Sequence, residues 1–483
     1  MNAFDAQLLQ EIRARFHHVE CCPYQGPRIF FENAGGSLTL KSVVEVAAKL
    51  AAIPDNQGRD NPASAEMGRL IARGREDMAT FLGVGGDGDG DAPPRHPRSP
   101  LSGGGDAPPR HPRSPLSGGG GDRDGAGAPG DGVIFVGESG TECLFRVIRA
   151  AVLAAAARDR GRGRDGERGK KWQVLGSTLE HPATASAARR WAAHVGARYT
   201  AIAHDPRTGS VDADAYRARL GDGFADTRVA TVIHTSPVSG MAVDVAAVAA
   251  EIRAASPDCF IIVDGIQHAP HGGVAVAGID ADAYAVSGYK VFSRHNYGFA
   301  WLSPRLSRAP HEHLDGTADD FWELGTRDAA AYASFSAVVD YLDWLGGQVD
   351  AAAASRRARI VAAGRAIAAH EKHLVDCMLN GGGGRRGLAT MPGVTVIGGA
   401  ANPRREGLVS LAVAGRPAAE VVRQLGDRGV RVHTRKNDYF SANILDPLGL
   451  ETCVRVSLAH YNSADEVAVF LRAMEGITAA AAA

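Results

Sequence analysis

The sequence predicts an α/β protein with a largely parallel central sheet, followed by a smaller α+β domain. Two observations support this prediction. Up to about residue 305, short apolar runs alternate with segments of helical periodicity, as expected for a sheet covered by helices. From about residue 328 the pattern changes to two long helices and then to shorter strands and helices. Ligands of such sheets bind at the carboxyl ends of the strands, so those ends carry the candidate functional residues.

The elements follow one another in a regular order. The predicted strands of the central sheet are VIFVG, WQVLG, YTAIA, VATVIH, FIIVDG, YAVSG and GFAWL. Helices are predicted from Thr141, over TASAARRWAAHVG and over VAAVAAEIRAA. After two long alanine-rich helices come GLVSLAVAG, the helix PAAEVVRQLGDRG, VRVHT, CVRVSLA and a last helix SADEVAVFLRAM. The predicted divisions are an N-terminal segment (1–45) that contributes to the active site and the small domain, a large domain (46–327) and a small domain (328–483).

Residues 85–131 break this pattern. The segment is almost wholly Gly, Pro, Asp, Arg and Ser, and DAPPRHPRSPLSGGG occurs twice in tandem. Such a composition buries too little apolar surface to offset the entropy of ordering the chain. We therefore predict a disordered surface insertion within the large domain.

Composition narrows the class of protein. Lys and Arg (53) nearly balance Asp and Glu (54), so no global charge favours nucleic acid or an anionic membrane. The six cysteines are scattered without a CxxC pair, which favours a reducing compartment and predicts no metal site. The N-terminus lacks the apolar core of a signal peptide, and no apolar run is long enough to span a membrane. A cytoplasmic protein with no membrane or nucleic-acid partner is expected.

Three features at the strand ends indicate one type of ligand. Residues 137–142 (GESGTE) place glycines before a helix N-terminus, where free N–H groups and the helix dipole favour a phosphate. Asp264 ends a strand that reads as buried, and a protonated pyridine nitrogen would balance its charge. Lys290 follows the next strand and is able to form an imine with an aldehyde. Together they predict pyridoxal 5′-phosphate (PLP) as the cofactor.

The motifs also resemble a known family. DGIQ followed by SGYK resembles the Asp-x-x-Gln and Ser-x-x-Lys pair of class V aminotransferases, the fold type I PLP enzymes that include cysteine desulfurases, selenocysteine lyases and isopenicillin N epimerase. FFENAGGS, GTE, LEHPA, ELGT and RVSLAHYNSADEV are similar to further motifs of that family, in the same order. The resemblance covers most of the chain outside the insertion. It implies the PLP-dependent transferase fold type I and a homodimer with shared active sites.

The resemblance implies a role for each matching residue of the cofactor site. Lys290 would form the imine and move protons, Asp264 would contact the ring nitrogen, and Gln267 would bind the ring oxygen O3′. His181 would stack on the ring, which adds it to Lys290 and Asp264 as a catalytic residue. The phosphate would contact Gly140, Thr141, Ser287 and, from the neighbouring subunit, Thr326.

The substrate side is implied in the same way. Arg455 would clamp the α-carboxylate of an amino-acid substrate with its planar guanidinium, and Asn33 would lie near that carboxylate. Two positions depart from the family pattern. Tyr289 replaces a histidine before the lysine, and Pro237 replaces an asparagine that often approaches the cofactor.

The segment between VRVHT and CVRVS is a third departure. Desulfurases carry their persulfide-forming cysteine there, whereas this chain reads RKNDYFSANILDPLGLET, and Cys453 reads as a packing residue. Desulfurase activity is therefore disfavoured, because sulfur relay needs a thiolate on a mobile loop. Several residues here are either specificity groups or a solvated strand end and loop, and both interpretations stay open: His433, Lys436, Asn437, Asp438 and Tyr439.

Three functions are consistent with the sequence. The leading one is a PLP-dependent lyase that cleaves a carbon–sulfur bond of a small amino-acid substrate by β-elimination in specialised metabolism. Transamination by a class V aminotransferase is the first alternative. The second is a non-catalytic relative that keeps the fold and binds a partner through the Arg-Pro-rich insertion, and the complete set of cofactor residue types argues against it.

Overall fold

The computed structural model describes residues 4–85, 132–162, 172–221, 226–382 and 384–482. The insertion predicted at residues 85–131 lies, apart from Gly85, outside these described residues. On its N-terminal side the helix Pro62–Leu82 ends at Gly83, whose positive φ of 67° suits a glycine C-cap. On its C-terminal side the chain enters the strand Val133–Gly137.

A seven-stranded sheet, the main sheet, forms the centre of the fold. Neighbouring strands run parallel except for Gly298–Leu302, which is antiparallel to both of its neighbours. The spatial order is Val133–Gly137, Gly298–Leu302, Ala283–Ser287, Phe260–Asp264, Thr227–Ile233, Gln173–Ser177 and Arg198–Ile202. The predicted α/β class with a mostly parallel central sheet is confirmed.

Helices bury both faces of the main sheet. Along the strand Phe260–Asp264, Phe260 and Ile262 pack into one hydrophobic core, and Ile261 and Val263 pack into the other. Burial on both faces explains why the sequence shows an uninterrupted apolar run instead of alternation. The described α-helices are Ala6–Ala14, Lys41–Ala51, Pro62–Leu82, Gly140–Arg162, Pro182–His194, Ala213–Gly221, Val245–Ala255, Ala329–Val349, Arg356–Asn380, Ala418–Gly426, Ala442–Leu445 and Ala464–Ala482.

A four-stranded antiparallel sheet, the small sheet, lies in the C-terminal part. Its spatial order is Val394–Val396, Leu408–Val413, Thr452–Ser457 and His433–Lys436. One face, with Val454 and Val456, packs against helices of the same part of the chain. On the other face Cys453 belongs to the core that continues under the main sheet. The predicted α+β character of this part is confirmed.

The N-terminal segment connects the two sheets. Ile29–Phe30 pairs in parallel with Val430–Arg431 beside the small sheet. A few residues later the amide of Ser37 donates a 3.1 Å hydrogen bond to the carbonyl of Tyr289, which follows a main-sheet strand. The predicted domain boundaries near residues 45 and 327 stay predictions.

The remaining elements are short. Two small hairpins pair Cys21–Cys22 with Gly26–Pro27 and Gly381–Gly382 with Arg385–Arg386. The 3-10 helices are Asn33–Gly35, Val276–Gly278, Gly288–Lys290, Leu388–Thr390 and Asp446–Leu448. Within the described ranges, every helix is too short or too polar to cross a membrane.

Candidate active site

The carboxyl ends of the main-sheet strands carry the predicted cofactor residues. Asp264 is the last residue of one strand, and Lys290 closes the helical turn that follows the neighbouring strand Ala283–Ser287. The two strands pair in parallel, so both residues lie at the same edge of the sheet. Only 3% of Asp264 and 8% of Lys290 is exposed. The predicted acid and amine therefore belong to one buried region.

The environment of Lys290 disfavours a charged amine. Burial, reinforced by the nearby guanidinium groups of Arg455 and Arg435, lowers the pKa of Lys290 to about 7, although Asp264 acts in the opposite direction. The amine donates a hydrogen bond to the carbonyl of Ala34. A lysine with a substantial neutral fraction at neutral pH is suited to attack a carbonyl carbon and to carry a proton.

Neighbouring groups fix the orientation of the Asp264 carboxylate. The Thr184 hydroxyl donates a 2.8 Å hydrogen bond to Oδ2, and the backbone amide of Ile266 donates a 3.2 Å bond to Oδ1. Burial, followed by the charge of Asp264, raises the pKa of the adjacent Glu180 to about 8. Glu180 is therefore mostly neutral at pH 7.

Gln267 begins a buried polar chain. Its amide Nε2 lies 3.1 Å from Nε2 of His271, and Nδ1 of His271 lies 2.7 Å from Oε2 of Glu371. Burial alone would lower the pKa of His271, but the Glu371 carboxylate outweighs it and the pKa is raised. The Oε1 atom of Gln267 is buried without a protein hydrogen-bond partner. This series of hydrogen bonds leaves the Oε1 atom of Gln267 available to a ligand.

The predicted phosphate turn lies at the start of the helix Gly140–Arg162. A side chain at Gly140 would collide with the Ser287 hydroxyl and with Ile266, so this helix N-terminus and Ser287 are in close contact. Thr141 is exposed next to it, whereas Ser287 is buried. Gly298 on the adjacent strand allows the backbone at Gly140 to approach closely, since a Cβ at Gly298 would collide with the Gly140 amide. The amides and hydroxyls of this turn form a suitable anion cradle.

His181 caps the helix Pro182–His194. Its Nδ1 accepts a 3.2 Å hydrogen bond from the amide of Ala183, which leaves the proton of the neutral ring on Nε2. Burial lowers the pKa of His181. The charge of Asp264 acts to raise this pKa, and the charge of Lys290 acts to lower it. The ring centroid lies 6.0 Å from that of Phe440, in the segment that follows the small-sheet strand His433–Lys436.

Arg455 reaches the site from the small sheet. The side chain is 3% exposed, and its Nη1 donates a 3.0 Å hydrogen bond to the carbonyl of Pro237, beyond the end of a main-sheet strand. Its Nε is buried without a partner, and a Cβ on Gly35 would lie 3.6 Å from Nη2. Burial lowers the pKa of Arg455 to about 9. Among the described residues Arg455 bonds to this carbonyl alone, and a buried cation in such a setting is suited to an anionic ligand.

Two predicted residues lie in other settings. Asn33 is buried and its side chain bonds to protein, since Nδ2 donates a 2.9 Å bond to the carbonyl of Ser457 and Oδ1 accepts from the Tyr461 hydroxyl. Its contacts hold the turn beside Arg455, and its predicted contact with substrate stays a prediction. Thr326 is exposed on the segment before the helix Ala329–Val349. Its role toward a neighbouring subunit also stays a prediction.

The sequence analysis missed four residues of this region. Thr184 lies in the first turn after His181, and His271 lies four residues after Gln267, so proximity in sequence was a usable signal for both. Arg435 lies within the segment already singled out for specificity. Glu371, in the long helix Arg356–Asn380, reaches His271 only through the fold and has no local signal.

Comparisons with known proteins agree with the geometry. The family model described as aminotransferase class-V matches residues 160–470, and the chain belongs to this family. An aminotransferase-like protein of Gibberella zeae is 29% identical over 52% of this chain and 59% of its own length. A probable cysteine desulfurase of Mycobacterium leprae is 27% identical over 69% of this chain and 76% of its own. A cysteine desulfurase structure from Thermococcus onnurineus has a TM-score of 0.68 at 18% identity, covering 94% of this chain and 95% of that chain.

The family is PLP-dependent, and the chain is accordingly a PLP-dependent enzyme. The residues present fit this cofactor. The unpartnered Oε1 of Gln267, the helix N-terminus at Gly140 in close contact with Ser287, and the buried amine of Lys290 lie at the same strand ends as the Asp264 carboxylate. When bound, PLP supplies an electron sink for negative charge that develops at the Cα of an amino acid.

Proposed function

We propose that the protein cleaves a carbon–sulfur bond of a small amino-acid substrate by β-elimination. The observation that supports amino-acid chemistry most strongly is the pairing of a buried lysine whose pKa is lowered to about 7 with a buried arginine, Arg455, that has no carboxylate partner in the described part of the chain. Lys290 removes the Cα proton, and Arg455 holds the α-carboxylate.

The cofactor roles belong to the same proposal. Asp264, oriented by Thr184, would face the ring nitrogen, and Gln267, whose Nε2 has a second N–H beyond its contact with His271, would donate to the ring oxygen. His181 would stack on the ring. The phosphate contacts are Gly140, Thr141 and Ser287, with Thr326 contributed by the neighbouring subunit.

The preference for elimination over sulfur relay comes from the cysteines. Residues 433–452 contain no cysteine. Cys453 is fully buried, and burial raises its pKa to about 11, so it carries almost no thiolate at neutral pH. In β-elimination the Cα–H and Cβ–S bonds break, the sulfur leaves as a thiol, and the released enamine is hydrolysed to pyruvate and ammonia. This reaction needs no protein thiol.

Transamination is the second candidate. It is supported by the likeness to the aminotransferase-like protein of Gibberella zeae, and it would use the same lysine and arginine. In that reaction Lys290 would move the Cα proton and Arg455 would hold the α-carboxylate, and the cofactor would supply the acceptor for the amino group when the keto acid leaves. A single amino donor then changes the cofactor absorbance once per site and stops.

One experiment distinguishes these functions. The purified holoenzyme is mixed with individual amino acids, and cofactor absorbance, pyruvate and ammonia are followed together. Continuous release of pyruvate and ammonia from a sulfur-containing amino acid supports elimination, and a stoichiometric absorbance change without turnover supports transamination. Purified protein without visible-range cofactor absorbance would contradict both and revive a non-catalytic role.

Assembly and location are further parts of the proposal. We propose a homodimer, supported by the family resemblance and by the exposed apolar residues Leu314 and Leu324 on the segment that carries Thr326. Light scattering of the holoenzyme tests it. A cytoplasmic location is supported by six cysteines that are all free thiols.

A further inference from the structure

A second arginine lies on the same face of the small sheet as Arg455. The strands His433–Lys436 and Thr452–Ser457 are antiparallel neighbours, in which His433 pairs with Arg455 and Arg435 pairs with Cys453. Residues paired across two strands point to the same face, as do alternate residues of one strand. Arg435 therefore lies diagonally across from Arg455, on the face directed toward the main sheet.

Among the described residues, neither guanidinium lies within salt-bridge distance of a carboxylate. Within the described ranges, neither Arg435 nor Arg455 forms a salt bridge: Arg435 Nη2 donates a 3.2 Å bond to the carbonyl of Phe440, and Arg455 bonds to that of Pro237. The Nε atom of each arginine is buried without a partner. Two partly or fully buried cations on one face repel each other unless an anion lies between or beside them.

The nearby carboxylates are engaged elsewhere. Glu32 lies 2.7 Å from Arg431 and 3.0 Å from His433, and its charge acts on Arg455 only from beyond salt-bridge distance. Asp438 attracts Arg435 from beyond salt-bridge distance, and its Oδ1 accepts a 2.9 Å bond from the amide of Phe440. The positive charge of the arginine pair remains available to a ligand.

Arg435 also lies on the cofactor side of the site. Its guanidinium carbon is 5.9 Å from the ring centroid of Phe440, and that ring is 6.0 Å from the ring of His181. The same segment is anchored to the main sheet, because Asn443 Nδ2 donates a 2.7 Å bond to the carbonyl of Thr178. Arg435 and Arg455 both act electrostatically on Lys290. The two cations thus converge on the amine.

We propose that Arg435 binds a second anionic group, at the end of the substrate side chain, so that the substrate is an amino acid with an acidic side chain. The acid is a carboxylate on the sulfur substituent or a sulfur oxyacid, since both offer a pair of oxygens to a guanidinium. In the second case the sulfur leaves the substrate as the oxyacid in place of a thiol. Aspartate and glutamate, which have no Cβ–S bond, serve below as binding probes. The inference rests on the proposed function, because it takes Arg455 as the site of the α-carboxylate. Cysteine does not belong to this substrate class, because its side chain carries no carboxylate or sulfur oxyacid.

The test compares matched substrates by equilibrium binding, read from the cofactor absorbance of the holoenzyme. Aspartate is compared with asparagine, glutamate with glutamine, and cysteine sulfinate with cysteine. The acidic member of at least one pair is expected to bind about tenfold more tightly. The aspartate, glutamate and sulfinate arms distinguish the carboxylate from the sulfur oxyacid. Equal binding within every pair would overturn the proposal.

Substitutions at Arg435 test whether this residue causes the preference for the acidic member of each pair. Arg435→Gln is expected to lose the preference for the acidic member while binding of the neutral member changes less than about twofold, and Arg435→Lys should keep part of it. Arg423→Gln, on an exposed helix of the same part of the chain, is the matched control and should behave like the wild type. Equal weakening of acidic and neutral members by Arg435→Gln would show a structural role and overturn the inference.

A measurement without reaction chemistry separates this inference from the proposed function. Succinate and butyrate lack an amino group, so they report only anion binding through the melting temperature of the holoenzyme. Succinate is expected to raise the melting temperature more than butyrate in the wild type and not in Arg435→Gln. If no amino acid changes the absorbance but succinate still stabilises the wild type selectively, the proposed function fails and the second anion site stands. Equal effects of the two acids would contradict the site.

Discussion

The two sides of the site differ in how their charged and polar groups are paired. On the main-sheet side Thr184 bonds to Asp264, and Gln267 is part of a chain with His271 and Glu371. On the small-sheet side Arg435 and Arg455 bond, within the described ranges, only to backbone carbonyls. On the main-sheet side, hydrogen bonds from other side chains of the protein fix the polar groups, which suits a cofactor that stays bound. The second side carries uncompensated positive charge and suits a ligand that comes and goes, so specificity is expected to depend on the small sheet.

Lys290→Ala is the change with the largest expected effect. Without the amine, no side chain at this position takes up the Cα proton, so turnover should fall on the order of 10³-fold or more while the fold is kept. Steady-state turnover and circular dichroism of the purified variant measure the two quantities. Lys372→Ala, at an exposed lysine paired with Asp376, is the control. Turnover near the wild-type level would remove Lys290 from the mechanism.

Arg455→Gln should have the next largest effect. Loss of the buried guanidinium removes the partner of the α-carboxylate, so KM should rise on the order of 100-fold, about 2.7 kcal/mol. Acidic and neutral amino acids should be affected alike, in contrast to the expected selectivity of Arg435→Gln. A KM that does not change would place the carboxylate elsewhere.

Thr184→Val tests the main-sheet side. The substitution keeps the shape of the side chain but removes the hydrogen bond to Asp264, so the dissociation constant of the cofactor should rise about tenfold. Equilibrium dialysis or absorbance titration of the apoenzyme with PLP measures it. KM for the amino acid should change little, and Thr80→Val, on an exposed helix face, is the control. A change in KM without a change in the dissociation constant of PLP would mean that the main-sheet and small-sheet sides of the site do not act separately.

The pH dependence of cofactor incorporation connects the two sides. The pKa of Lys290 is lowered to about 7, so the neutral amine, and with it the rate of incorporation into the apoenzyme, should rise as pH increases through about 7. Removing either arginine removes a positive charge that favours the neutral amine, so the midpoint should move to higher pH in Arg435→Gln and Arg455→Gln. Stopped-flow absorbance provides the rates. A midpoint that is the same in all three proteins would contradict the electrostatic coupling.

Cys453→Ala should have the smallest effect. The thiol is buried and its pKa is raised to about 11, so its removal should change turnover less than about twofold and cost on the order of 1 kcal/mol of stability. Turnover and thermal unfolding are the measurements. Loss of most activity in a folded variant would make this cysteine a nucleophile and restore sulfur relay as a function.

The main-sheet side was also the more predictable from sequence. VIFVG, GFAWL and VAAVAAEIRAA coincide with observed elements, because strands buried on both faces leave short apolar runs and the intervening helices keep their period. Asp264 ends the strand predicted from FIIVDG, Lys290 follows the strand predicted from YAVSG, and the two residues lie at one edge of the sheet. Contacts between distant segments leave no local pattern in the sequence. Glu371, for example, is 100 residues from His271, and nothing near either residue predicts their contact. The edge strand Val394–Val396 was missed for a similar reason, since three residues carry too little pattern.

The N-terminal turn has a mechanical consequence. The amide of Ala34 donates a 2.8 Å bond to the Ser457 hydroxyl on the small sheet, while its carbonyl accepts from the Lys290 amine. Ser37, a few residues on, is tied to the backbone beside that lysine. One short tether therefore couples the position of the small sheet to the amine. We therefore expect any displacement of the strand that carries Arg455 to move the Lys290 amine with it.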